Sequence, residues 1–489
     1  MMIDRNEILA LSPQTCHTCD PNQTPSYERF RTNNHNCALP TKETRSICFA
    51  INMSLMLASL SGRLIRITTA RQSRRPAASR LLTRRTLATT QPNDDAVLDN
   101  DATSETSNFY MWGTDTKGSL LRPKDMVDAK KIDMPMPVTA APTDETAATA
   151  ITQVVCGPTD TALLFADGSC YVWGENKQGQ LGVGHNQPVT TPTRVVLPDD
   201  SSVSIAQVSL GHQMGAFVDS AGDLYTCGFG GSVMTGFGLL GHGDATAENN
   251  NVHTPKLVES IVEDGCFVKQ VQVSESHITC LTTEGEVLTT GAGSYGRLGN
   301  FDTIDQLYLE PVEILTSGVQ SIAGGKSFTL ALKEDGVLYG WGRNHKGQLG
   351  TGFGMAVDMY AMQAIPEPIE ADELLGRRVV KVAAGAAHAA CITEGGELFF
   401  WGMQVHLEPY RVTELLHTKV VDVVCGLDYT LAIDEEGRMY SFGKGSTGVL
   451  GQGSVKNLNQ PQLMEAFEGK KIVQASAGWK HAACLVEDA

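Results

Sequence analysis

The sequence has no run of 18 apolar residues, which excludes a membrane-spanning helix of ordinary length. It contains no G-x-x-x-x-G-K-[ST] element and no G-x-S-x-G element, so a P-loop and a nucleophile elbow are both missing. Charged residues make up only 19% of the 489 positions, below the roughly 25% of average globular proteins. Aromatic residues are 6%, whereas glycine is plentiful at 49. Many glycines with 42% hydrophobic residues favour short strands joined by tight turns, and argue against long helices or a coiled coil. Twelve cysteines occur, but within apolar runs such as VVCG, YTCG and AACI. That placement indicates reduced, buried thiols rather than a secreted disulfide framework.

The formal net charge of −17 conceals two regions of opposite sign. Residues 1–92 hold 13 basic and 5 acidic side chains, and the remainder holds 25 basic and 50 acidic. A body this acidic is a poor general binder of nucleic acid, because phosphate contacts need Lys and Arg. From Met53 to Pro92 there are eight Arg, no Lys and no acid, in a background of Ser, Thr, Ala and Leu. That is the composition of a mitochondrial transit peptide. Arg85-Thr86-Leu87-Ala88 resembles a matrix presequence junction, so cleavage is expected before Ala88. Residues 53–87 are therefore read as transit peptide and 88–107 as linker. Residues 1–52 are read as an upstream extension, with translation starting at Met53. They hold Cys16, Cys19, His35 and Cys37, but the second half lacks a clean zinc-ligand pair. No metal and no cofactor is expected.

From residue 108 onward the chain repeats itself. Val154–Gly184 and Ile322–Gly352 align along their length: a strand ending in Gly, two or three residues, an apolar strand, an acidic-Gly turn, an aromatic strand ending in Gly, and a G-x-L-G loop. Weaker copies begin at Val208, Val273, Ala383 and Val424, and the copy from Ala383 lacks the G-x-L-G loop. The C-terminus, Ala475–Ala489, stops at the acidic-Gly turn, and Asn108–Leu120 supplies the missing aromatic strand and loop. Joined, the two halves make a seventh unit. The expected fold is therefore an all-β, seven-bladed β-propeller over residues 108–489, closed by strands from both termini, which is how propellers hide their edge strands. Trp112, Trp173, Trp341 and Trp401 share one register and read as core. The long interblade segments Met126–Thr152, Asp244–Gly265 and Met355–Arg377 read as insertions and candidate partner contacts. Gly228–Gly231 and Gly236–Gly238 read as loop turns.

The recurring G-x-x-H-T, E-D-G, Y-x-W-G and G-Q-L-G elements, in this order and with a split last blade, resemble the regulator of chromosome condensation family. With the Arg-rich leader, the mitochondrial branch of that family is the nearest resemblance. The nuclear prototype exchanges nucleotide on the GTPase Ran and is tethered to chromatin by a basic tail. Here that tail reads as a presequence. The plant UV-B photoreceptor uses repeated G-W-R-H-T motifs, and this chain has one related site, Gly478-Trp479-Lys480-His481-Ala482. Some members carry ubiquitin-ligase domains, and none is expected after Ala489.

The resemblance implies a protein-binding platform without bond-making chemistry, in the matrix or on the matrix face of the inner membrane. The activity that the resemblance implies is guanine-nucleotide exchange on a dynamin-related mitochondrial GTPase. The alternative is a non-catalytic assembly factor for the mitochondrial ribosome or a respiratory-chain complex. Protein partners, a monomeric ring and no direct nucleic-acid contact are expected, and peripheral membrane association stays open. In the prototype, the loops carrying G-x-x-H face the GTPase. The matching candidates here are Asp160, His212, His277, Lys326, His388, Asp428, Trp479, Lys480 and His481. The prototype's nucleotide-displacing β-wedge has no segment legible in this sequence.

Overall fold

The computed structural model describes residues 108–116, 118–121, 131–138, 150–198, 203–243, 250–352 and 360–487. The Arg-rich leader, its cleavage point and the Cys16/Cys19/His35/Cys37 group lie outside the described residues. The rest forms seven four-stranded antiparallel sheets. Blades 1 to 6 span Ile151–Arg194, Ile205–Leu257, Val268–Pro311, Val319–Pro368, Val379–Arg411 and Val420–Leu463. Blade 7 takes its two inner strands, Lys471–Ala477 and His481–Glu487, from the C-terminal end. Its two outer strands, Phe109–Thr114 and Lys131–Pro137, come from the other end of the ring. The closure pairs Phe109 with Leu485 and Gly113 with His481.

Each strand position has its own chemistry. The second strand is apolar and buried along its length, as in Met214–Asp219 and His388–Thr393. The first strand faces the axis and places a polar side chain there, among them Gln153, Gln207, Gln270, Lys381, Asp422 and Gln474. These strands line an axial channel of about 430 Å³. Their inner edges would expose unpaired amides, and the preceding blade satisfies several. The Gln474 amide oxygen accepts from Val154 N–H at 2.9 Å, Gln207 from Val271 at 2.8 Å, and Gln270 from Ile322 at 3.0 Å. The fourth strand is solvent-facing, and it carries an interior proline in most blades, as in Val189–Arg194 and His406–Arg411. Proline is tolerated only at such an edge.

That last feature corrects an expectation. The segments read as insertions hold the fourth strands of three blades: Lys131–Pro137, Val252–Leu257 and Met362–Pro368. Asp244–Gly265 also carries one short helix, α1, Glu259–Glu263. A polar, proline-bearing edge strand has neither alternation nor β-branched enrichment, so it does not stand out from a loop.

The glycine that ends each third strand is required by space. At Gly342 (φ +104°) an added Cβ would lie 2.6 Å from the Ser327 carbonyl oxygen, and at Gly228 2.3 Å from that of Gln213. In blade 5 the third and fourth strands are joined tightly through Met403 and Gln404, both left-handed, with φ of 53° and 64°. This replaces the G-x-L-G loop missing from that copy.

Removing residues 473–489 takes away most of both inner strands of blade 7 and leaves Phe109–Thr114 without its partner. The truncated chain is expected to lose its cooperative thermal transition, followed by calorimetry and near-ultraviolet circular dichroism. A melt like that of the intact protein would contradict closure through the C-terminal strands.

Candidate partner-binding face

In a four-stranded meander, the turn between strands one and two leaves from the same end as the loop between strands three and four. One face of the ring therefore gathers all G-x-x turns and all G-x-L-G loops. The sequence candidates lie on or beneath this face, in two layers.

The lower layer is the wall between blades. His277, His388 and His481 are fully buried. Each Nε2 meets a threonine hydroxyl of the next blade: Thr329 at 2.9 Å, Thr430 at 3.2 Å and Thr161 at 2.9 Å. The same slot in blades 2, 4 and 6 holds Met214, Phe328 and Tyr429, and the residue opposite is then Ile278, Ala389 or Ala482. Histidine and the threonine of the following blade thus occur together. Blade 1 places Asp160 in this slot, 1% exposed, and its facing position is Gly215. A Cβ on Gly215 would sit 2.2 Å from the Gln180 carbonyl oxygen, so no threonine fits. Neither Asp160 carboxyl oxygen has a well-aligned hydrogen-bond partner. These four candidates are wall residues, and a docking partner does not reach them while the ring is closed.

The upper layer is formed by the turn tips, one or two positions before the slot. Trp479 of blade 7 stacks on His212 of blade 2, with centroids 4.9 Å apart and planes 18° from parallel. Lys326 of blade 4 places its ammonium 5.7 Å from the Trp479 ring and pairs with Glu275 of blade 3 at 2.9 Å. Residues from four blades thus meet over one mouth of the axial channel, which all four line. Burial holds the His212 imidazole below its usual range. Lys480 is exposed beside this group, and Asp428 pairs with Lys444 at 2.9 Å. The structure brings His212, Lys326 and Trp479 together, while Asp428 and Lys480 stand on the surrounding rim.

Two features of this face escaped the sequence. Gly231–Ser232 and Gly236–Phe237 form a two-stranded hairpin rather than a simple loop turn. Its tip presents Val233 and Met234, 83% and 92% exposed. Asp305 fastens it to blade 3 by accepting from the Phe237 and Gly293 amides, both at 2.9 Å. The other feature is a group of arginines around Tyr295, described below. Among the described residues no cluster of His, Cys, Asp or Glu has metal-binding geometry. The eight cysteines described are free thiols, and burial pushes Cys156, Cys170 and Cys425 up to about 12.

Burial pushes His277 down to about 3, and His388 and His481 to about 4, from 6.5. These groups stay neutral in the fold while the unfolded chain takes up protons below 6.5. Their contribution is complete above 6.5 and is lost as the pH falls towards the folded values. Three such groups give a slope of about 4 kcal/mol per pH unit between about pH 6 and pH 5. Thermal melts across that window are expected to show the fall, and His388→Gln should reduce its steepness by about a third. A flat profile would refute the neutral wall.

Asp160 behaves in the opposite sense. Burial holds its carboxyl well above 3.8. The unfolded chain ionises first, so stability is lost as the pH rises from 3.8 towards the folded value. Asp160→Asn is expected to melt above the wild type at pH 7 and to converge with it near pH 4. An equal difference at both pH values would exclude ionisation as the cause.

Comparison with known proteins gives a consistent picture. The RCC1-like domain model matches residues 98–408, and regulator of chromosome condensation (RCC1) repeat models match 420–449 and 436–485. The human E3 ubiquitin-protein ligase HERC2 is 28% identical over 383 residues, covering 78% of this chain and 6% of that protein. The Arabidopsis thaliana RCC1 domain-containing protein RUG3, mitochondrial, is 26% identical over 343 residues, covering 68% of this chain and 62% of RUG3. The chain therefore spans less than two thirds of these relatives. Among solved structures, Prp20p of Saccharomyces cerevisiae superposes with a TM-score of 0.67 at 21% identity, covering 78% of this chain and 91% of that one.

Proposed function

The chain belongs to the regulator of chromosome condensation family of β-propellers, and on that premise we propose that it is a mitochondrial protein-binding platform that accelerates guanine-nucleotide exchange on a GTPase. The observation that carries this reading is the Trp479–His212–Lys326 cluster at the centre of the G-x-x face. A half-exposed tryptophan, ringed by charged groups and central to a face, is the usual anatomy of an interaction hot spot. No bond-making step is involved and no catalytic nucleophile is assigned. Exchange requires none: a partner that binds the nucleotide-free GTPase better than the loaded one speeds release.

The hairpin deepens the reading. Its rigid base and apolar tip suit an element that pushes into a docked GTPase, the part played by the β-wedge in the family's prototype. The mitochondrial assignment is supported by the acid-free, Arg-rich leader and by the likeness to RUG3, a protein named as mitochondrial. Removal of residues up to Leu87 is part of this proposal, as is a dynamin-related identity for the GTPase.

The test is release of labelled GDP from GTPases co-purified with the protein from mitochondria. An acceleration of tenfold or more is expected, equivalent to about 1.4 kcal/mol of barrier. It should be lost in Trp479→Ala and in the double variant Val233→Ser, Met234→Ser, with the melting temperature preserved. Unchanged release, with assembly intermediates of the ribosome or a respiratory complex dominating the co-purified material, would replace exchange by the scaffold reading.

A further inference from the structure

Blades 3 and 4 carry an arrangement on this face that neither ring closure nor the channel uses. Tyr295, in the loop after the third strand of blade 3, has a left-handed backbone, φ 63° and ψ 16°. Such a conformation is strained for a residue with a side chain, and it persists only when its surroundings enforce it. The strain turns the phenol towards two guanidinium groups: Arg343 of blade 4 lies 4.4 Å from the ring centroid and Arg297 of blade 3 lies 5.7 Å from it. Arg297 is only 5% exposed, and its head makes one hydrogen bond, from Nε to the Ser294 carbonyl at 2.8 Å. Arg343 is half-buried, and its enclosed Nε has no partner.

Two nearby carboxylates among the described residues, Glu275 and Asp305, have other partners. Glu275 holds Lys326 at 2.9 Å, and Asp305 accepts from the Phe237 and Gly293 amides. Acidic side chains outnumber basic ones two to one in residues 93–489. Among the described residues no carboxylate pairs with either arginine, in a body where acidic groups are in excess. A guanidinium presents a planar fork of donors that matches a carboxylate's two oxygens. Asp305 also places the exposed hairpin tip in the same neighbourhood, because it bonds both the hairpin and the loop leading into Tyr295.

We propose that Arg343 and Arg297, held around Tyr295, form a seat for a carboxylate side chain of a docked protein, so that the segment engaging blades 3 and 4 is acidic. The inference rests on the docking face described above and specifies the partner chemistry at one sector of it. Electrostatic complementarity of this kind sets orientation and association rate.

The test uses the whole protein and a fluorescein-labelled octaglutamate peptide, followed by anisotropy at low ionic strength. Saturable binding is expected, weakened at least tenfold by Arg343→Gln. Arg343→Lys, which keeps the charge and loses the fork, should weaken it severalfold. Lys444→Gln, the same charge change on blade 6, should leave it within twofold. Equal losses in Arg343→Gln and Lys444→Gln, or the absence of binding, would overturn the seat. A phosphoserine peptide of equal charge binding ten times more tightly would overturn the carboxylate assignment. Trp479→Ala is expected to keep octaglutamate binding while abolishing GDP release, so failure of the seat and failure of the exchange reading are told apart.

Discussion

One carbonyl group governs how the blades stack. Each G-x-L-G loop turns back so tightly that the carbonyl of its second residue points out of its own sheet. Buried and unpaired, that oxygen would be costly, and the next blade supplies the donor. Trp112 donates to Val449, Trp173 to Ser119, Trp341 to Arg297 and Trp401 to Gln348, at 2.7–3.0 Å. Where tryptophan is replaced, the donor changes with it. Cys227 reaches the Gln180 carbonyl at 3.3 Å, whereas Thr290, too short to copy the indole, donates to the carbonyl of Gly238, the first residue of its loop, at 2.9 Å. Blade 5 has no such loop, and blade 6 carries Phe442 in the register, a ring with nothing to donate. The indole both fills the wall and satisfies the loop, which is why one residue type recurs there.

The same close stacking separates structure from function along a stretch of four residues. The slot residue of each turn folds back into the wall, and in six blades the turn opens on a glycine where even a methyl group is excluded, Ser274 taking that place in blade 3. At Gly325 an added Cβ would meet the Phe328 ring at 1.9 Å, and at Gly426 the Tyr429 ring at 2.0 Å. Histidine in the slot is thus fixed by the threonine across the wall and is held neutral. The tip residues carry no such duty. They converge because seven turns point towards one axis, so Trp479 and His212, from blades that are not neighbours, come to stack over the channel. Tip residues are free to differ between blades, and their differences give the face its character.

The sequence by itself determined the number of blades, the split seventh unit, the acidic-Gly turns and the burial of the tryptophans. Those features rest on local rules: glycine where φ is positive, short apolar runs where a strand is packed on both sides, and repetition of both at a fixed order. The pairing of His277, His388 and His481 with Thr329, Thr430 and Thr161 was also present in the sequence, as a correlation between consecutive copies. The fourth strands were not legible, because an outer edge strand is polar and bears proline, and the neighbouring blade reaches it mainly through loop backbone, as where Gly184 N–H donates to the His253 carbonyl. Only the tertiary structure decided which candidates share a site. Asp160 and His388 read as equivalent to Lys326 and Trp479 in a motif, yet two positions along a turn separate a wall from a surface. The hairpin at Gly231–Phe237 and the arginines around Tyr295 depend on contacts between residues of different blades, which no single copy of the repeat contains.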